Sequence, residues 1–243
     1  MTEVVTQTDE RGKLMNETVT KTGGQQVLPF YLVCDESASM LSNGGIEAIN
    51  SSLPELHDAV ASDPLVNDKT RISMIAFSDD AELLVPLTPA ADIADLPGVA
   101  ERGATNYKAA FELLKSQIAS DIASLKSDGY QALRPAVFFI SDGEPTYDGW
   151  EQSHQSLTDK STNPQAPNII AFGVDQAESE TMAKVATVAC FLADANVDPG
   201  AALREIIGSI ADSIVQSGTS STPTLVIPPA PDGTTSIPLE PMD

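Results

Sequence analysis

The chain has 243 residues, with 35 acidic against 13 basic side chains and a formal net charge of −22. That balance argues against nucleic acid or an anionic membrane as the main partner, because both repel an acidic surface. A hydrophobic content of 42% is enough for a packed core, and two cysteines, Cys34 and Cys190, are too few for a disulfide scaffold or a Cys-rich zinc site.

Residues 1–26 are polar, rich in Thr, Gln and Glu, and end near Gly23-Gly24, so they read as a flexible extension. They hold no hydrophobic stretch after a basic start, and no run along the chain approaches the roughly 18 apolar residues of a membrane span. A cytoplasmic protein is therefore expected. Val27 to Cys34 is a continuous apolar run with β-branched and aromatic members, as in a strand buried on both faces. Over residues 45–61, Ile46, Ile49, Leu53, Leu56 and Val60 recur at helical spacing, with Pro54 expected to kink that helix. Arg71 to Phe77 reads as a second strand, and Glu82 to Leu87 as a third, placed at an edge by Pro86. Asn106 to Lys126 predicts a long helix with Ala110, Leu113, Leu114, Ile118, Ile122 and Leu125 inward. Strands at Pro135–Ile140 and Asn168–Phe172, a short helix at Thr181–Val188, a strand at Ala189–Leu192 and a helix at Pro199–Val215 follow. Residues 218–243 hold six of the 17 prolines and no Lys or Arg, which predicts a disordered or polyproline-like tail.

Alternating strands and helices over 27–217 predict one doubly wound α/β domain, a mostly parallel sheet with helices on both faces. Ligands of such sheets bind at the carboxyl ends of the strands. Asp35-Glu36-Ser37-Ala38-Ser39 follows the first buried strand, Ser141-Asp142-Gly143-Glu144-Pro145 follows a later one, and Thr105 precedes the long helix. Asp35, Ser37, Ser39, Thr105 and Asp142 thus bring two carboxylates and three hydroxyls to one sheet edge, all oxygen donors of the kind hard divalent cations prefer. Two carboxylates roughly balance a dication, whose open position could then recruit an outside carboxylate. Each feature also has a plain structural reading: Ser39 and Thr105 as helix caps, Asp142-Gly143 as a turn.

With these residues in place, the segment from about Val27 to Val215 resembles a von Willebrand factor type A (VWA) domain. The metal-ion-dependent adhesion site of that family is built from Asp-x-Ser-x-Ser, a Thr and an Asp. The resemblance implies that Ser37, Ser39 and Thr105 touch the metal, while Asp35 and Asp142 act directly or through water. Mg²⁺ is the implied ion, with Mn²⁺ and Ca²⁺ as alternatives. Ala38 departs from the family's usual glycine and would be strained if that position needed a positive φ. The stretches Ile46-Glu47-Ala48-Ile49-Asn50, Ile75-Ala76-Phe77-Ser78, Val85-Pro86-Leu87-Thr88 and Ser141-Asp142-Gly143-Glu144-Pro145-Thr146 resemble the bacterial VWA proteins of tellurite-resistance clusters (TerY-like). This finer resemblance implies a stress-response assembly with phosphatase- or kinase-like partners.

Catalytic schemes find little support. There is no Gly-x-Ser-x-Gly elbow, phosphate loop or dinucleotide fingerprint. His57 and His154 read as surface residues away from the strand ends, and Cys34 and Cys190 as inert buried thiols. The expected function is metal-dependent protein–protein recognition through a partner's Asp or Glu. The alternatives are a metal-dependent phosphoester hydrolase using Asp35 or Asp142, and a scaffold bound through the Pro-rich tail around Pro228-Pro229-Ala230-Pro231. The acidic charges, scattered along the segment, read as a solvated face.

Overall fold

A computed structural model describes residues 3–8, 14–19 and 24–239. Strands β1 (Glu3–Thr8) and β2 (Leu14–Val19) pair antiparallel in a two-stranded sheet of their own, where a flexible extension was expected. Of the expected Gly23-Gly24 hinge, Gly23 lies outside the described residues. From β3 (Gln26–Asp35) the chain passes through the short α1 (Ala38–Ser42), α2 (Gly45–Ala61) and α3 (Pro64–Lys69) into β4 (Thr70–Phe77) and β5 (Ala81–Thr88). Then come α4 (Tyr107–Ser127), β6 (Gln131–Ala132), β7 (Ala136–Ser141), α5 (Trp150–Thr158), β8 (Asn168–Gly173), α6 (Ser179–Val185), β9 (Ala189–Ala193), α7 (Pro199–Thr219) and β10 (Thr234–Ser236).

The main sheet runs β10-β9-β8-β7-β3-β4-β5, with β6 paired to the start of β3. Its interior pairs are parallel, and only the edge strands β5 and β10 are antiparallel to their neighbours. β5 takes the edge that Pro86 requires, since proline cannot donate to a further strand. Period-two alternation along the strands divides the core. Phe30, Leu32, Cys34, Met74, Phe138 and Phe172 face α2 and α7, whereas Tyr31, Val33, Phe77, Val137, Phe139 and Ala171 face α4, α5 and α6. In α2 all five predicted inward residues are buried, and Pro54 stands on its exposed side. In α4, Tyr107 and Phe111 join the predicted stripe, while Leu113 is only partly buried. Both cysteines are fully buried, and burial pushes the Cys34 and Cys190 thiols up, so neither is a nucleophile.

The structure departs from four expectations. The tail is ordered along the domain, because its apolar patches find surfaces. Leu225 packs on the α2–α7 core, and Val226 is held by Ser213 and Ser217 of α7 at 2.5 and 2.9 Å. β10 pairs with β9, and Ile237 and Leu239 pack on the α4 side. The expected domain end at 217 falls inside α7, which continues to Thr219. The short helix expected over 181–188 ends at Val185, because the amides of Thr187 and Val188 donate to Ile169 and lead into β9. His154 is not a surface residue: its ring sits edge-on to Phe111 and Trp150 and bonds the carbonyl of Val185 at 2.9 Å.

Candidate metal centre

Parallel register brings the site together. β3 pairs with β7 through Cys34 and Ile140, so Asp35 ends its strand beside Ser141 and one residue short of Asp142. The chain then turns over Ser37 into α1, which carries Ser39. Ala38 is the first residue of this helix, and the only described non-glycine residue with a positive φ is Asp175, so the expected strain at Ala38 is not found. On the third side, Gly103 lets the loop before α4 press against Asp79; a Cβ at Gly103 would fall 1.8 Å from the Asp79 carboxylate. Asp79 in turn accepts from the amide of Ala104, next to Thr105.

The hydroxyls of Ser37 and Ser39 lie 3.1 Å apart, and Ser39 donates to Asp142 Oδ1 at 2.8 Å. Asp35 Oδ1 accepts from the Ser37 amide at 2.9 Å, and its Oδ2 from the Ser141 hydroxyl at 2.6 Å. Thr105 is buried and reaches the group through the Asp142 loop: Thr146 donates its amide to the Thr105 carbonyl at 2.8 Å, and Thr146 Oγ1 accepts from the Thr105 amide at 3.3 Å. One residue into α4, the Tyr107 hydroxyl donates to the Gly143 carbonyl at 2.9 Å. Those three bonds tie the Thr105 and Asp142 loops into one unit.

Sequence reasoning missed Ser141 and Asn43 as supports. Ser141 lay inside a quoted motif, but only the strand pairing shows its hydroxyl against Asp35. Asn43 caps the end of α1, and its amide donates to Asp142 Oδ2 at 2.5 Å and to Asp175 Oδ2 at 3.2 Å. No local pattern marks it, because its partners are 99 and 132 residues away. Glu36, also unassigned, is buried and pairs with Arg102, which bridges on to Glu82 at 2.9 Å.

Asp35 and Asp142 are both buried, and among the described residues neither has an ion-pair partner. Burial pushes the Asp35 carboxyl up to about 6, with nearby Asp142 adding to the rise against hydrogen bonds from Ser141 and Ser37. Asp142 is likewise raised by burial, opposed by bonds from Ser39 and Asn43, with Asp175 adding a little. Two buried carboxylates without a cation form an incomplete arrangement that a dication would complete. The spacings fit one: adjacent oxygens around an octahedral ion with bonds of about 2.0–2.1 Å are about 2.8–3.0 Å apart, close to the 2.8 and 3.1 Å found. No group of three or more His, Cys, Asp and Glu side chains suited to a metal occurs among the described residues, so a cation here would depend on the hydroxyls.

Residues 30–144 match the family model for the von Willebrand factor type A domain. That match covers a little under half of the chain and includes all five candidate site residues. No curated protein matches it by sequence. Among solved structures it is similar to the vWF domain of the type V pili tip protein Mfa5 from Porphyromonas gingivalis, with a TM-score of 0.62 and 11% identity, covering 82% of this chain and 99% of that one. A von Willebrand factor type A protein from Catenulispora acidiphila gives 0.59 at 12% identity, covering 83% and 44%. Proximal thread matrix protein 1 from the mussel byssus, in a structure with a zinc-occupied MIDAS motif, gives 0.53 at 12% identity, covering 79% and 48%. The last two chains are about twice the length that this one spans. These likenesses show a shared VWA fold, a mostly parallel sheet with helices around it. No helix among the described residues is long and apolar enough to cross a membrane.

Proposed function

We propose that this VWA domain is a divalent-metal-dependent protein–protein recognition module, with the cation held by Asp35, Ser37, Ser39, Thr105 and Asp142. One observation carries the reading: serine hydroxyls 3.1 Å apart and an aspartate oxygen 2.8 Å from one of them, beside two buried carboxylates that no described basic side chain neutralises. The all-oxygen donor set suits Mg²⁺ or Mn²⁺ better than a soft ion. When bound, the cation supplies a Lewis-acidic open position that a partner's Asp or Glu can occupy. Ser37 and Ser39 orient toward it from α1, Thr105 is braced by Thr146, and Asp142 is oriented by Ser39 and Asn43. No described histidine or thiol is placed to act as a base or nucleophile there, which favours binding over hydrolysis. A bacterial stress-response or tellurite-resistance assembly, with phosphatase- or kinase-like partners, is the setting that the finer sequence resemblance suggests.

Calorimetric titration of Mg²⁺ and Mn²⁺ into metal-free protein should show one saturable site, weakened at least about a hundredfold by Ser37→Ala/Ser39→Ala. With Mn²⁺ bound, added acetate should lower the water-proton relaxation enhancement by displacing metal-bound water. Absence of saturable binding removes the metal site; relaxation indifferent to acetate removes the open position.

A further inference from the structure

Every oxygen of the two buried carboxylates accepts a hydrogen bond, the Ser37 amide holding Asp35 Oδ1. Asp35 Oδ2 is held by the Ser141 hydroxyl, and Asp142 Oδ2 by the Asn43 amide, leaving Asp142 Oδ1 facing Ser39. Asn43 is itself pinned. Its Oδ1 accepts from the Gly45 amide at 2.9 Å, while its nitrogen is shared between Asp142 and Asp175. The carboxamide therefore stands as a wedge between two like-charged side chains. Asp175, which reaches the Asn43 amide from just beyond β8, holds a left-handed φ of 53°.

Cations respond to such constraints differently. Mg²⁺ takes six oxygens at about 2.0–2.1 Å, whereas Ca²⁺ takes six to eight at about 2.3–2.6 Å and commonly both oxygens of one carboxylate. A carboxylate whose second oxygen is engaged by a short hydrogen bond offers one oxygen. Freeing it, and releasing Asp175 beside it, would provide the extra oxygens that Ca²⁺ uses and Mg²⁺ does not.

We propose that Asn43 is a positioning residue that sets the cation preference of this site: by holding Asp142 Oδ2 and Asp175 together through one amide, it restricts Asp142 to one-oxygen binding and favours Mg²⁺ or Mn²⁺ over Ca²⁺. The inference rests on the metal-site reading above. Two variants test it in the full chain. Asn43→Ala removes the wedge; Asn43→Asp keeps an acceptor for the Gly45 amide but replaces the donor with a further carboxylate oxygen and its negative charge. Calorimetric titration with Mg²⁺, Mn²⁺ and Ca²⁺ gives three Kd values for each protein, and thermal melting checks that each unfolds cooperatively. In both variants the ratio of the Ca²⁺ Kd to the Mg²⁺ Kd should fall about tenfold or more. If one variant fails to fold, the other carries the comparison. A purely structural role would weaken all three ions together and leave the ratio unchanged, and that result overturns the proposal. Failure of the wild-type chain to bind any of the three removes the metal site itself, and this inference with it. Binding by the wild type with an unmoved ratio removes only the role of Asn43.

Discussion

The two ends of the central strands are finished in different ways. At the amino ends, polar groups are answered locally. The Arg71 guanidinium donates to the carbonyls of Asn67, Asp68 and Thr70 and lies 5.3 Å from the Tyr130 ring centroid. Asp63 caps α3, and Leu133 and Leu225 pack on the α2–α7 core that contains Leu28. At the carboxyl ends, Asp35 and Asp142 are buried without a cation, and the Ser78 hydroxyl is buried without a hydrogen-bond partner. Around them stand the exposed carboxylates of Asp79, Asp80, Glu101, Glu144, Asp148 and Asp175, and the site loops contain a single arginine, Arg102, already engaged by Glu36 and Glu82. One end satisfies its own groups, and the other keeps two buried carboxyl groups without a described ion-pair partner. A partner that offers a carboxylate here must also tolerate this negative rim, so basic residues should flank its acidic side chain.

The contrast would be broken most strongly by cutting away what closes the amino end. Truncation after Ser221 removes Leu225 from the α2–α7 core, both serine bonds to Val226, and β10 from the β9 edge. Losing the Leu225 packing, two hydrogen bonds and the β10 pairing should cost at least about 2–4 kcal/mol. Urea denaturation should show that loss, and titration should show an unchanged Mg²⁺ affinity. A parallel loss of metal affinity would mean that the two ends are coupled through α7.

Next in size is a variant that exchanges the sign of its effect with ligand. In Asp35→Asn the buried charge is gone, and the Ser141 hydroxyl can turn to accept from the new amide. The metal-free variant should therefore be more stable than the parent by on the order of 2 kcal/mol, the scale of an uncompensated buried charge. In saturating Mg²⁺ the order should reverse, because only the parent gains binding free energy. Melting curves with and without Mg²⁺ decide it; a variant less stable in both conditions would show that Asp35 is a structural carboxylate.

How much of this contrast could be read in the sequence depends on the distance over which each signal acts. Repeating patterns were legible: the phase of Ile46, Ile49, Leu53, Leu56 and Val60 places α2, and the uninterrupted runs at 27–34 and 135–140 place the two strands whose ends carry the site. The five oxygen donors followed from those strand ends and a short motif. Asn43 was not legible, since its role exists only once residues 43, 142 and 175 are neighbours. The charges looked scattered because they are spaced along the chain, yet the loops at the carboxyl ends bring six exposed carboxylates, Asp79, Asp80, Glu101, Glu144, Asp148 and Asp175, to one edge. Composition marked the tail as disordered; what orders it is a pair of serines, Ser213 and Ser217, on a helix face that the sequence does not pair with Val226. The helix α5 is rich in Gln, Ser and His and begins after a left-handed Gly149, so its apolar stripe is too thin to announce it.

The smallest expected effect lies in neither end but between α4, α5 and α6, and it sharpens the comparison by supplying a buried titratable group unrelated to the metal. Burial holds the His154 imidazole below its ordinary value, against the opposing hydrogen bond to the Val185 carbonyl. That carbonyl can only accept, so Nε2 carries the proton in the neutral ring. The unfolded chain binds a proton near pH 6.5 and the folded chain at lower pH. Between those two values the unfolded state holds more protons, so stability rises with pH there and is lost as pH falls below about 6.5, by at most about 1.4 kcal/mol per pH unit for one group. Asp35 titrates in part of the same window, so the informative quantity is the difference between the parent and His154→Gln, which keeps a donor for Val185. That difference should shrink as pH falls from 7.5 to 5, measured as urea midpoints with an unchanged m-value. A difference flat with pH would show that His154 titrates alike folded and unfolded and contributes nothing to the pH dependence of stability.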